Sequence, residues 1–351
     1  MPKILDFFGR PFSPIYSVIM KARSSLYERG LFHSHRSSAF VISVGNLTLG
    51  GTGKTPCVQM IGRYLQGKGR KVAIVSRGYG GKVHEKVNLV SLGQEPLLSA
   101  SEAGDEPRLH AESLPGVVVA TGVVRKLPCR HVAKELGCDT ILLDDGFQHL
   151  AVQRDLNLVL FNSSILAGNS RVFPGGDLRE PVSALLRAHA FLLTNTTNEN
   201  RERAERFKDL LTQRFPDRPV FFSSHEAIGV KSLHRDKLLP FTQLPSPLHG
   251  FCGIAHPNRF HHSLSEKGIH LSGFSSFKDH QPYTVTRLKK LVDMATQSEA
   301  AGLITTEKDL VKLKEFTCDL PMYALALETR VDETFWDFLD ARITQRTSTP
   351  I

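Results

Sequence analysis

Eight consecutive residues, Thr48-Leu49-Gly50-Gly51-Thr52-Gly53-Lys54-Thr55, combine three glycines with an ammonium and hydroxyls. Glycines let backbone amides wrap phosphate oxygens. A lysine at this spacing reaches the β- and γ-oxygens of a nucleotide, and the hydroxyl that follows it ligates Mg²⁺. Thr48 stands where the usual first glycine would be, with Gly45 and Gly50 nearby, so the loop is a variant phosphate-binding loop. A second pattern, Ile141-Leu142-Leu143-Asp144-Asp145-Gly146, is an apolar strand ending in carboxylates, the metal-organising partner that such a loop needs. Which of Asp144 and Asp145 meets the metal, directly or through water, stays open. Three polar runs punctuate the chain at expected strand ends: Ser76–Gly81, Gly104–Pro107 and Pro174–Pro181. Ligands of an open parallel sheet bind outside the carboxyl ends of its strands, so these loops are expected to converge on one crevice. Thr305–Asp309 ends a strand and caps a helix, and the pattern leaves a functional role beside the capping one open. His256, His261 and His262 have no cysteine or carboxylate spacing that would make a metal site.

These side chains need a scaffold, and the rhythm of the chain predicts one. From residue 39 to about residue 224, short β-branched runs alternate with helical patterns. Strands are expected near Phe40–Val44, Lys71–Ser76, Val117–Ala120, Thr140–Leu143, Leu156–Phe161, Ala190–Thr194 and Pro219–Phe222. Helices are expected over Thr55–Gln66, Gly122–Leu136 and Asn198–Phe215. The strands lack polar/apolar alternation, which suits burial on both faces. The fold class is therefore α/β: a P-loop NTPase-like parallel sheet over residues 38–224, with helices on both faces. Pro240, Pro245 and Pro247 mark 225–247 as a linker region. A smaller α/β pattern follows over 248–330, and Val331–Ile343 reads as an amphipathic helix within the terminal segment 331–351.

Residues 1–37 stand apart. After Phe7, Phe8 and Phe12, the residues Ile15, Ile19, Ala22 and Leu26 fall on one helical stripe, with Tyr16, Met20 and Tyr27 beside it. Six basic residues (Lys3, Arg10, Lys21, Arg23, Arg29, Arg36) accompany two acidic ones (Asp6, Glu28). An aromatic, basic, amphipathic segment suits a membrane surface. A helix packed on its own domain has the same periodicity, and pattern alone leaves both open.

The whole chain of 351 residues has 44 Lys+Arg against 35 Asp+Glu, a net charge of +9 at pH 7. That surplus implies an anionic partner: nucleic acid, phosphate-bearing small molecules or a membrane surface. With 41% hydrophobic and 23% charged residues, disorder and fibrous architectures are excluded. No apolar run approaches the ~18 residues of a bilayer span, and Lys3, Asp6, Arg10, Lys21 and Arg23 interrupt any signal-peptide core. The five cysteines (Cys57, Cys129, Cys138, Cys252, Cys318) are scattered, with no Cys-x-x-Cys pair. They fit a reducing cytosol without a zinc or disulfide framework.

In combination these motifs resemble one family, the tetraacyldisaccharide 4′-kinases (lipid A 4′-kinases) of Gram-negative bacteria. The resemblance rests on the order of GNLTLGGTGKTP (45–56), SRGYGG (76–81), GDEP (104–107), LDDGFQH (143–149), LREP (178–181), FCGIAHPNRF (251–260), FKDHQPY (277–283) and TTEKD (305–309). It spans nearly the whole chain, including the basic N-terminal helix. It implies transfer of the ATP γ-phosphate to the 4′-hydroxyl of a tetraacylated glucosamine disaccharide 1-phosphate. It implies work at the cytoplasmic face of the inner membrane by a peripheral protein. It also implies a second, smaller α/β/α domain joined by a short two-stranded linker, so that the C-terminal helix would return to the first domain.

By the same resemblance, Thr48, Leu49, Gly50, Gly51, Thr52 and Gly53 would surround the phosphates of ATP and Lys54 would hold them. Thr55, Asp144 and Asp145 would hold Mg²⁺, with Arg179 and Glu180 at the nucleotide–metal site. Asp105 would be the catalytic base, supported by His280 from the other domain. The expected partners are the lipid acceptor and an anionic membrane surface, without nucleic acid or an obligatory protein partner. Two other classes compete. A P-loop GTPase or metallochaperone-type switch NTPase would use Gln148 to position water, but the chain contains no Asn-Lys-x-Asp guanine motif. A nucleic-acid-binding ATPase would need basic residues interleaved with aromatics on a strand face, and none are seen.

Overall fold

Every residue of β1 (Phe40–Asn46) is buried, and the strand lies parallel between β5 (Thr140–Asp144) and β6 (Leu156–Asn162). The structure is a computed structural model that describes residues 8–233, 235–279, 281–314 and 316–347. Alternate side chains of β1 serve two cores. Phe40, Ile42 and Val44 pack with Ile74 of β2 (Val72–Ser76), Leu142, and Val58 and Ile61 of α2 (Lys54–Gly67). Val41 faces the other way, into Val75, Ile141 and Leu143 with Cys129 and Val132 of α5 (Lys126–Lys134). Helices on both faces explain why the strands read as unbroken apolar runs.

The first domain adds β3 (Asn88–Leu92), α3 (Ala100–Ala103), α4 (Asp105–Ser113), β4 (Val118–Thr121), β7 (Ala190–Thr194) and α6 (Arg201–Arg214). Three of these, β3, α3 and α4, were not legible in the sequence. Strand β3 is a short antiparallel edge partner of β4, bulged between Leu89 and Ser91. The run Gly104–Pro107, expected to be a loop, is the start of α4. Gly104 at φ +97° turns the chain, and Asp105 and Glu106 supply the acidic first turn that a helix N-terminus favours.

Among the described residues, thirteen strands form one continuous sheet in the order β11 (Leu271–Ser276), β10 (Leu248–Cys252), β12 (Leu303–Thr306), β13 (Met322–Val331), β8 (Val220–Ser232), β7, β6, β1, β5, β2, β4, β3, with β9 (Arg235–Leu239) paired to β8. The stretch expected to be a linker, 225–247, is largely ordered into strands. Strand β8 (Val220–Ser232) pairs parallel with β7 at Val220–Phe222, then runs on antiparallel to β13 (Met322–Val331). Strand β9 (Arg235–Leu239) folds back on β8. The polar run Ser223-Ser224-His225-Glu226 concealed this extension, because a ribbon exposed on its flanks needs no apolar alternation.

The second domain comprises β10 (Leu248–Cys252), α7 (Pro257–Glu266), β11 (Leu271–Ser276), α8 (Val285–Gln297), β12 (Leu303–Thr306) and α9 (Glu307–Leu310). Its strands β11-β10-β12-β13 are mutually parallel.

The chain ends by returning to the first domain. Phe335 and Leu339 of α10 (Thr334–Thr347) have no exposed surface and enter the core beneath β1. Trp336 stacks on Tyr64 of α2 (centroids 4.1 Å apart), and Asp340 accepts from the Tyr64 hydroxyl (2.8 Å) and Lys68 (3.1 Å). Arg346 donates to the carbonyls of Ser37 and Ala39 and pairs with Asp155.

At the other terminus, α1 (Ser13–Glu28) docks by its polar and aromatic side chains. Ser13 Oγ donates to Val172 O (2.7 Å), Tyr16 packs edge-on against Phe173, and Arg23 reaches Gln148 O (3.1 Å). The aliphatic stripe faces away from the core: Ile15 is 60% exposed and Ile19 58%, beside Phe12 and Val18 at similar values. Among the described residues, no helix is long and apolar enough to cross a membrane.

Truncating a fully buried phenylalanine removes its transfer energy and leaves a cavity. Phe335→Ala is therefore expected to cost about 3–5 kcal/mol in chemical denaturation, measured on the first domain's unfolding transition.

Candidate active site

The phosphate loop leaves β1 at a register set by the sheet. Val44 of β1 lies opposite Asp144 of β5, so the glycine loop and the acidic strand end emerge at the same level. Phe147 approaches so closely that a Cβ on Gly45 would fall 2.7 Å from its amide nitrogen, which only glycine allows. Beyond β1, buried polar side chains hold the loop by its carbonyls. Asn46 Nδ2 donates to Thr48 O (2.6 Å), Asn162 Nδ2 to Gly51 O (3.1 Å) and Thr194 Oγ1 to Thr52 O (2.8 Å). Leu49 N donates to Asp177 O, and Thr48 bridges to Leu178. Gly53 adopts φ +75° at the entry to α2. No amide from Gly50 to Thr55 donates to a protein acceptor among the described residues. The loop is thus a rigid cradle of donors at a helix N-terminus, as phosphate binding requires.

Asp145 is the charge centre. Arg179 Nη1 contacts both of its carboxylate oxygens (3.0 and 2.9 Å), and Lys54 Nζ lies 3.5 Å away. Arg125, 6% exposed, donates to the Asp145 carbonyl (2.6 Å). Burial alone would push this carboxyl up, but Lys54, Arg179 and Arg125 together outweigh it and hold it down at about 2. Asp145 also adopts φ +52°, a left-handed conformation that aspartate tolerates better than most side chains.

Asp144 is different. It is 1% exposed, and Oδ2 pairs with Nε2 of the fully buried His110 (3.0 Å), while Oδ1 is buried with no partner. That orphaned oxygen, with the hydroxyl of Thr55, is a hard donor set of the kind Mg²⁺ takes. Among the described residues, no three His, Cys, Asp or Glu side chains form a ready-made metal cage. Mg²⁺ needs none, because it commonly uses one or two carboxylates together with substrate phosphates and water.

Asp105 opens α4, whose first turn adjoins the same charges. Its neighbour Glu106 is raised from its ordinary range by burial and by the nearby Asp144, and is opposed by Lys308 and Lys54. Asp105 Oδ2 is bridged to the second domain by Lys312 Nζ at 3.1 Å. The loop at 76–81 packs on the entry to α4: Gly104 lies against the Tyr79 carbonyl, and the residues that follow the loop, Lys82 and Val83, donate their amides to Ser101 O and Glu102 O of α3. Segment 277–283 meets α9 through Lys308 and Asp279 (3.5 Å). His280 lies outside the described residues. Of the three polar runs, 76–81 and 104–107 meet directly, and 174–181 joins the phosphate loop from the other side through Leu178 and Arg179.

Glu180 behaves unlike Arg179. It is 2% exposed and pairs with Arg187 (2.6 Å), which stacks over Phe147. Among the described residues, Glu180 makes no hydrogen bond or ion pair with the phosphate loop, and it lines a cleft of about 190 Å³ beside α1. Gln148 donates to Asn46 O (2.9 Å), an orientation that commits its amide to the base of the loop.

Sequence reasoning missed Arg125, His110, Glu106, His225 and Lys312. Arg125 follows a strand at its carboxyl end, a position that could have marked it. His225 is placed by the ribbon β8, where Nδ1 pairs with Thr329 (2.9 Å) and Nε2 faces Gly53. Burial and, secondarily, Arg259 hold its ring at about 4, so it is neutral behind the loop.

The family model described as tetraacyldisaccharide-1-P 4′-kinase matches residues 5–344. A tetraacyldisaccharide 4′-kinase of Desulfotalea psychrophila is 47% identical over 333 residues, 95% of each chain. One from Geobacter metallireducens is 40% identical over 89% of this chain and 90% of its own. Among solved structures, LpxK from Aquifex aeolicus in complex with ATP superposes with a TM-score of 0.79 at 31% identity, covering 95% of this chain and 97% of that one.

A charge-assisted hydrogen bond contributes about 1.5–3 kcal/mol. Lys54→Ala should therefore weaken ATP binding by ~10–100-fold in calorimetric titration and lower turnover as well, with thermal unfolding little changed.

Proposed function

The chain belongs to the tetraacyldisaccharide-1-P 4′-kinase family, and from that premise we propose how its residues divide the reaction. The activity is transfer of the ATP γ-phosphate to the 4′-hydroxyl of a tetraacylated glucosamine disaccharide 1-phosphate, a step in lipid A biosynthesis. Supporting this reading above all is the meeting of two halves at the carboxyl ends of the central strands β1 and β5. The Lys54–Asp145–Arg179 cluster lies on one side, and Asp105, on a turn that adjoins Asp144, lies on the other.

The loop from Thr48 to Gly53 receives the phosphates with the amides left unpaired from Gly50 onward, and Lys54 and Arg179 take up charge on the transferring group. Thr55 and Asp144 are the candidate ligands of Mg²⁺, with Asp145 behind them holding the cations. The ion, when bound, neutralises charge on the β- and γ-oxygens. Asp105 accepts the proton of the 4′-hydroxyl as its oxygen bonds to phosphorus and the bond to the β-phosphate oxygen breaks, leaving ADP. Phosphoryl transfer depends on positioning and charge neutralisation more than on strong base catalysis, so a carboxylate suffices for a late proton transfer. His280 is read as a support for Asp105 from the second domain.

Residues 1–37 are read as a docking segment for an anionic membrane surface, at the cytoplasmic face of the inner membrane. What supports this is the exposed stripe Phe12, Ile15, Val18 and Ile19, carried on a helix anchored by its opposite side. Residues 38–224 are read as the kinase domain, and 248–330 as the smaller domain that covers it.

Asp105→Ala is expected to lower kcat by ~10²–10⁴ while ATP affinity stays within a few-fold. Near-normal single-turnover rates would place the base elsewhere. The double variant Ile15→Asp, Ile19→Asp alters only exposed positions. It should lose sedimentation with anionic phospholipid vesicles and raise KM for the lipid severalfold more than KM for ATP.

A further inference from the structure

Lys312 holds an unusual position for a lysine. Its side chain is 7% exposed and its ammonium sits between carboxylates from different domains, 3.1 Å from Asp105 Oδ2 and 3.2 Å from Asp309 Oδ1. A buried ammonium is costly unless paired, and both partners here are fixed by their surroundings. Asp309 has no exposed surface, and its other oxygen accepts from the Gly253 amide (2.9 Å) and the Thr306 hydroxyl (2.8 Å), where β10 and β12 end. Asp105 is fixed by its place on the first turn of α4. Among the described residues, the titratable groups facing Lys312 are Asp105 on α4, Asp309 on α9 and Tyr283 before α8, whose ring centroid lies 5.7 Å from Nζ. A second bridge, Lys314 to Glu112 (2.9 Å), ties the far end of α4 to the same segment.

We propose that Lys312 is a positioning residue for the phosphoryl transfer: anchored on Asp309, it aims the Asp105 carboxylate and favours its ionised form when the second domain is seated on the first. Base competence and domain seating then become one event. The inference rests on the reading of Asp105 as the proton acceptor. An ammonium within hydrogen-bond distance stabilises a carboxylate against protonation, so Asp105 awaits the acceptor as an anion. The cost is lower basicity. A late transfer tolerates that, because the hydroxyl becomes acidic as its oxygen bonds to phosphorus. When the proton arrives, Asp105 becomes neutral and Lys312 keeps only Asp309 as a charged partner, which weakens the bridge between the domains once product has formed.

The test compares Lys312→Met, Lys312→Gln and Lys312→Arg in the full-length enzyme. The readouts are kcat/KM for the lipid acceptor against pH, KM for ATP, and melting temperature. In Lys312→Met and Lys312→Gln the acid limb should move upward by about one pH unit, kcat should fall ~10–100-fold and KM for ATP should hold. Lys312→Arg should restore the limb. Lys314→Met, which breaks the neighbouring bridge, should leave the limb in place. An unshifted limb in both neutral variants, or an equal shift in Lys314→Met, overturns the proposal. If the Met variant does not fold, the Gln variant decides. Normal turnover by Asp105→Ala would remove the underlying base assignment. An inactive Asp105→Ala beside unshifted Lys312 variants would overturn this inference alone.

Discussion

Lys54 from the start of α2, Arg179 from the loop at 174–181 and Arg125 from the start of α5 all converge on Asp145. Each belongs to a different segment of the first domain, and like charges brought this close repel one another unless an anion lies among them. Asp145 supplies that anion, remaining ionised at any working pH because the cations dominate its burial. The phosphate loop, the acidic strand end and the 174–181 loop are thereby locked together before nucleotide arrives. Such preorganisation lowers the cost of gathering positive charge around a transferring phosphoryl group, the main burden of this chemistry.

Division of labour between adjacent aspartates follows from the local fold. Asp144 is the last residue of β5, buried against His110, and keeps one oxygen unpartnered. Asp145 has left the strand in a left-handed turn, and its carboxylate is spent on cations. The first is the proposed Mg²⁺ ligand, and the second gathers arginine and lysine. The same sheet delivers the acceptor side of the site. Because β8 and β13 continue the first domain's sheet into the second, α9 and Lys312 are carried over the N-terminus of α4, where Asp105 sits.

Much of this was legible in the sequence, for physical reasons. Strands buried on both faces are written as apolar runs, and a glycine loop between such a strand and a helix has few other uses, so β1, α2, β5 and the position of the phosphate loop could be read directly. Charge pairs between distant segments leave no such trace. Lys312 lies three residues beyond Asp309, yet nothing in that spacing reveals a partner at Asp105. The start of α4 was hidden because Gly104-Asp105-Glu106-Pro107 has the composition of a turn as well as that of a helix cap. The periodicity of α1 was legible, but pattern alone left open which face meets the core. Ser13, Tyr16 and Arg23 bond to the 172–179 segment and Gln148, and the aliphatic stripe is left outward. Glu180, next to Arg179 in sequence, turns to Arg187 instead of the phosphate loop, a divergence that only side-chain packing decides.

Transfer to a lipid hydroxyl instead of water is what separates a kinase from a hydrolytic NTPase. The most direct measurement incubates the full-length protein with γ-³²P-labelled ATP, Mg²⁺ and a tetraacyl glucosamine disaccharide 1-phosphate in mixed micelles, then follows label in the lipid fraction and ADP together. The predicted result is one labelled lipid that depends on the acceptor, with ADP formed in equal amount. ADP or GDP released without acceptor-dependent labelling of the lipid would contradict it.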